Sequence, residues 1–211
     1  MVSGSDTQVM QPRSTLRRHE SELGSWEMAS RPPHPALAGA VHRYVGYVER
    51  SCTPVIRREV PQDQVTVILG FGAPLTIGGQ DLPAQGRGSF VAPLNDAYAI
   101  TEFTGVSHGI QIDLSPQAAR AWFGVPMREL DALVVDLEDL LGVSSPRLVE
   151  QLHEAPSWDA RFVTFVQDAR RATPYRASHA KGHLPDSQVP RRPRRDRLAR
   201  ASVWLRADQR P

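Results

Sequence analysis

Four polar residues, Arg57, Glu102, His108 and Gln111, interrupt or flank stretches that are otherwise apolar. A small-molecule pocket has that pattern, because a mostly apolar wall needs a few fixed polar anchors. Arg57 stands in RREVPQDQ beside Arg58 and Glu59, just ahead of an apolar run. A guanidinium there offers a two-pronged fork to an anionic group, although such charges also serve as the solvated rim of a strand. His108 is the one histidine inside an alternating apolar run. A single imidazole falls short of the ligand set that a metal site needs, so His108 reads as a wall residue. His34 and His42 are eight apart, share no helical face, and read as surface or capping residues.

Other chemistry lacks its residues. G-x-S-x-G is not present, since GRGSF around Ser89 has no second glycine, and neither a P-loop, G-x-G-x-x-G nor HExxH occurs. Asp136, Glu138 and Asp139 lie on the polar side of a leucine-striped segment, where solvation is their expected role. Cys52 is the single cysteine and is expected to pack as a small hydrophobe. The chain is therefore expected not to be an enzyme, with no catalytic set, metal or cofactor.

The elements that must position the four anchors come from hydrophobic periodicity. In VTVILGF, Val65, Val67, Leu69 and Phe71 alternate with Thr66, Ile68 and Gly70, which predicts a strand with one buried face. Val106, His108, Ile110, Ile112 and Leu114 alternate in the same way with Ser107, Gly109, Gln111 and Asp113. Strands are thus expected over about 55–114. The connections are too short and too rich in Gly and Pro for crossover helices, so the pairing should be antiparallel. Before them, Pro35 followed by Leu37, Val41, Tyr44, Val45 and Val48 predicts a short amphipathic helix, with a first strand at Tyr44–Glu49 as the alternative.

From Ser115 the period changes to that of helices, over about 115–171. Ser115, Pro116 and Gly124 bracket one helix. Leu130, Leu133, Val134, Leu137, Leu140 and Leu141 mark a second, Ser145–Pro146 opens a third, and Ser157 caps a fourth whose inward residues are Trp158, Phe162, Phe165, Val166 and Ala169. Sheet first and helices second is the α+β pattern. The fold class predicted is an antiparallel β-rich, cupin- or jelly-roll-like half followed by a small helical half.

Residues 1–25 are polar and without periodicity, and are expected to be disordered. Residues 1–170 carry 14 Arg against 20 Asp and Glu, whereas 171–211 carry 11 Lys and Arg against 3 Asp. The basic excess is confined to a stretch with too little apolar residue to form a core, so 172–211 is expected to be a disordered tail. At most its segment 191–200 would make non-specific contact with nucleic acid. No run of 18 apolar residues and no signal-peptide pattern occurs, so a cytoplasmic protein without a membrane partner is expected.

WEMASRPPHPALAGAVHRYVGYVE, RREVPQDQVTVILGFGAPL, GSFVAPLNDAYAITEFTG and HGIQIDLSPQAARAWFGVPMRELDALVVDLEDLLG, followed by W-x-x-RF, resemble the N-terminal domain of actinobacterial AraC-type transcriptional regulators. The resemblance runs from about Trp26 to Arg170, placing the domain at 26–171. It implies a β-rich domain with trailing helices that senses a small-molecule effector or mediates homodimer contacts. In that family a C-terminal domain of two helix-turn-helix modules reads DNA. Nothing after Arg171 has the periodicity of a recognition helix, so the tail reads as truncated or out of frame. The alternative from another class is a small cupin-like enzyme or ligand carrier that uses the barrel interior.

Overall fold

The computed structural model describes residues 13–79, 82–94, 96–130 and 134–172. Nine strands form one sheet among these residues: β1 (Thr15–Ser21), β2 (Gly24–Arg31), β3 (Val41–Glu59), β4 (Val65–Gly70), β5 (Leu75–Gly79), β6 (Leu82–Arg87), β7 (Phe90–Ala92), β8 (Ala99–Leu114) and β9 (Val135–Asp136). The order is β1-β2-β3-β8-β4-β7-β9, with β5 pairing both β6 and β8. Every pair is antiparallel, as the short Gly- and Pro-rich connections require.

Helices follow β8, with β9 falling between the first two: α1 (Pro116–Phe123), α2 (Leu137–Leu141), α3 (Ser144–Glu154) and α4 (Trp158–Ala172). The ends of α1 are those written in its sequence. Ser115 Oγ accepts from the Ala118 N–H at 3.2 Å, Pro116 takes the first position, and Gly124 closes the helix at φ 68° with its N–H on Arg120 O. Ser157 caps α4 by accepting from the Ala160 N–H at 3.2 Å.

The sheet has two working faces. On one, Tyr44, Val65, Val67, Leu69, Ile110, Ile112 and Leu114 pack against Trp122, Phe162 and Phe165 of the helices. Tyr44 meets the Phe162 and Phe165 rings at 4.9 and 5.7 Å. On the other, inner face, Ile68, Leu75, Ile77, Phe90, Ala92, Ala99 and Phe103 form a second cluster. β4 is therefore buried on both sides, whereas its alternation predicts one buried face, because Ile68 has this second cluster to join.

Several expectations are corrected. Residues 15–21 and 24–31, most of which fall where disorder was expected, form the hairpin β1–β2. Its outer strand is exposed along its whole length, so it needs no apolar pattern. The helix expected from Pro35 is a single 3-10 turn, Pro35–Leu37, and the alternative of a first strand at Tyr44–Glu49 is the one found, as part of β3. Val41, Tyr44, Val45 and Val48 are β-branched or aromatic, and pairing with β2 and β8 on both sides decides for strand. The leucine-striped segment divides into a 3-10 turn at Met127–Glu129, the short β9 and the short α2. α3 begins at Ser144 with Val143 at its cap, two residues before the expected Ser145 cap and Pro146 start. Cys52 is exposed rather than packed, since it lies in the irregular part of β3 between Ser51 and Val55. Residues 1–12 and 173–211, with the basic tail and its segment 191–200, lie outside the described residues.

Candidate functional site

The paired register assigns each anchor to a face, because residues opposite one another in a sheet share a side. On β8 the odd-numbered residues from Ala99 to Asp113 look inward, and the even-numbered ones from Ile100 to Leu114 look outward or toward the helices. Arg57, opposite Thr101, and Gln111, opposite Val45 and Ile68, are thus on the inner face. Glu102, opposite Ile56 and Thr76, is on the outer face, and His108, opposite Val48, is on the helix side. The four anchors divide two and two.

The inner pair belongs to a larger polar set. Arg57 donates from both terminal nitrogens to Glu49, at 2.8 and 2.9 Å, and its guanidinium carbon lies 5.5 Å from the centroid of the Phe103 ring. Burial opposes the charge of Arg57. Hydrogen bonding to Glu49 and attraction by Glu49 and then Glu59 outweigh it, so the guanidinium is held more firmly protonated than usual. Tyr47, next on the same face, has its hydroxyl pushed above the ordinary range by burial first and by the Glu49 charge second. Tyr47 lies opposite Gly109, where a Cβ would come within 2.8 Å of the Tyr47 hydroxyl, so the glycine leaves room for the phenol. Trp26 of β2 pairs with Glu49 and stacks on His19 at 5.7 Å, extending the inner face with an aromatic surface.

Gln111 leads to a second buried carboxylate. Its Nε2 donates to Asp113 Oδ1 at 2.9 Å, Thr66 Oγ1 donates to the same oxygen at 2.8 Å, and Arg43 reaches Oδ2 at 2.8 Å. Buried Glu59 accepts from Thr101 Oγ1 at 3.1 Å. Each of these carboxylates is held by hydrogen-bond donors. Among the described residues no group of three or more His, Cys, Asp or Glu could hold a metal ion.

Tyr47 and Glu49 lie in the stretch Tyr44–Glu49 that fits a helix or a first strand, and helical spacing gives two residues so placed no common face. Read as strand, the alternation of Tyr47 and Glu49 with Gly46 and Val48 places them on one side. Asp136, expected to be solvated, accepts from Arg87, while Glu138 and Asp139 are exposed in the first turn of α2. No helix among the described residues is long and apolar enough to cross a membrane.

No family model matches the chain, and no curated protein does. Among solved structures, the AraC-like transcriptional activator CuxR aligns at 17% identity over 79% of this chain and 59% of its own, with a TM-score of 0.41. The 7S globulin of Momordica charantia aligns at 15% identity over 56% of this chain and 44% of its own, with a TM-score of 0.31. The chain thus spans less than two thirds of the length of either structure it is similar to.

Proposed function

We propose that this chain is the effector-sensing and dimerisation domain of an AraC-type regulator, acting in the cytoplasm, with a small molecule bound on the inner face of its sheet. One observation carries the reading. The inner face joins an apolar cluster to a prearranged polar set, Tyr47, Glu49, Arg57 and Gln111, while the opposite face is closed by helices. An apolar surface with a few fixed polar groups is how small-molecule sites are built. The sequence resemblance from about Trp26 to Arg170 supports the same reading. In this reading Arg57 and Gln111 serve as ligand anchors, while Glu102 and His108 lie on other faces.

The engagement of Glu49 and Asp113 with arginines favours binding over the enzyme alternative. The domain carries no sequence-specific DNA readout of its own, which in this reading is the work of a separate domain. The test is a thermal-shift screen of small metabolites with the full chain, followed by calorimetry on Arg57→Lys and Tyr47→Phe. A ligand whose affinity falls about tenfold or more in either variant supports the site. A ligand that ignores both, and instead binds variants of the outer face less well, refutes it.

A further inference from the structure

His108 occupies the seam between the sheet and the last two helices, back to back with the Tyr47–Gly109 pair of the inner face. Its ring meets Phe71 at 5.0 Å, Trp158 of α4 at 5.8 Å and His153 of α3 at 6.0 Å, perpendicular to each within a few degrees. Phe71 and His153 stack at 5.8 Å. Arg161 closes the box, 4.6 Å from the Trp158 centroid and 5.6 Å from that of Phe71, and donates to Leu152 O at 2.8 Å and His153 O at 3.2 Å. Within it, His108 Nε2 is buried and has no hydrogen-bond partner.

A neutral imidazole is at home among these rings, but a protonated one is not. The new N–H would be a buried donor without an acceptor, costly in itself. The surrounding charges make matters worse: Arg161 on α4, His153 on α3 and Arg50 on β3 repel a cation, against Glu27 on β2 alone. Glu27 is already engaged, accepting from Trp158 Nε1 at 2.7 Å and from Arg18 at 2.6 Å.

We infer that His108 is a proton-operated latch, which holds α3 and α4 on the sheet while neutral and releases them when protonated. Burial, then Arg161, His153 and Arg50, lower its pKa to about 4 from an ordinary 6.5. A histidine lowered on docking is protonated more readily in the undocked state. Its contribution is therefore complete above pH 6.5 and is lost as the pH falls from 6.5 toward 4. In that window the opening equilibrium rises by up to about tenfold per pH unit. His34 shares the direction of shift, through burial and then the charges of Arg170 and Arg31, but lies away from this box.

Hydrogen exchange on the full chain, corrected for intrinsic rates, tests the latch. Between about pH 6.5 and pH 5 the opening constant of α3 and α4 amides should rise about tenfold or more, with the β3–β8 ladder unchanged. His108→Phe, which keeps a ring but cannot protonate, should lose the rise, and His34→Phe should keep it. An equal rise in His108→Phe, or exchange that rises uniformly over the chain, overturns the inference. A second measurement does not depend on the variant folding: a His108 imidazole that titrates by NMR at about 6.5 or above overturns it too.

Discussion

Arg57 and Glu49, eight residues apart on the same strand, meet in a two-point ion pair of 2.8 and 2.9 Å. Eight residues of straight strand would separate them by about 26 Å. They meet because the ribbon of β3 and β8 bends where β3 holds extra residues between Ser51 and Val55 and Gly105 opposite adopts φ 81°. An even number of extra residues leaves the parity of β3 intact, so Tyr47, Glu49, Arg57 and Glu59 all stay on the inner face.

Removing one partner of that pair should cost more than removing both. Arg57→Met leaves the Glu49 carboxylate, 8% exposed, without its counter-charge. A cost of about 2–3 kcal/mol is expected, below the range for fully buried pairs because the arginine side chain is 26% exposed. Arg57→Met with Glu49→Leu should recover at least half of it. Urea unfolding of the three proteins measures this, and additive losses in the double variant would show that the pair is energetically idle.

Leu69 is fully buried in the middle of β4, between Ile110 and the helices. Leu69→Ala should cost about 2–5 kcal/mol. A loss under about 0.5 kcal/mol would mean that the faces of β4 are wrongly assigned.

Gly46 gives up its side chain so that Trp158 can lie against β3. A Cβ there would come within 2.2 Å of the indole ring. Gly46→Ala should destabilise the chain by about 1–3 kcal/mol and displace α4, visible as a change in Trp158 chemical shifts. Wild-type stability in this variant would contradict the close docking of α4.

How much of this was legible in the chain depends on burial. The alternation in Val65–Leu69 and Val106–Leu114 reports two strands correctly because Val65, Val67, Leu69, Ile110, Ile112 and Leu114 are buried together, even though Val106 is exposed. The Ser115, Pro116 and Gly124 signals report α1 because caps act locally. β1 is invisible to such reasoning, since an exposed edge strand buries nothing that would mark its period. Tyr44 and Val48 fit helical and extended spacing equally, and only partners distant in sequence decide. The same limit governs the site. Arg57, Gln111, Glu102 and His108 interrupt or flank apolar stretches alike, yet they divide between faces, with Glu102 and His108 away from Arg57 and Gln111. Assigning them to other faces requires the register of β3 against β8, which no local pattern carries.

The basic stretch 191–200 should not confer sequence-specific DNA binding. RRPRRDRLAR is interrupted by Pro193, and base readout needs a rigid element held in the major groove. Any affinity should fall with salt at a log–log slope of about −0.9 per phosphate contacted and be the same for promoter and scrambled DNA. A preference of about a hundredfold for one sequence in a competition titration would contradict this.

The most direct test of the central claim is the footprint of a bound effector on the sheet. With a ligand from the thermal-shift screen, NMR chemical-shift mapping should perturb Trp26, Tyr47, Glu49, Arg57 and Gln111 together while leaving Glu102, Ile56 and Thr76 on the outer face unmoved. A ligand that shifts the outer-face residues and leaves Arg57 and Gln111 untouched would contradict the account.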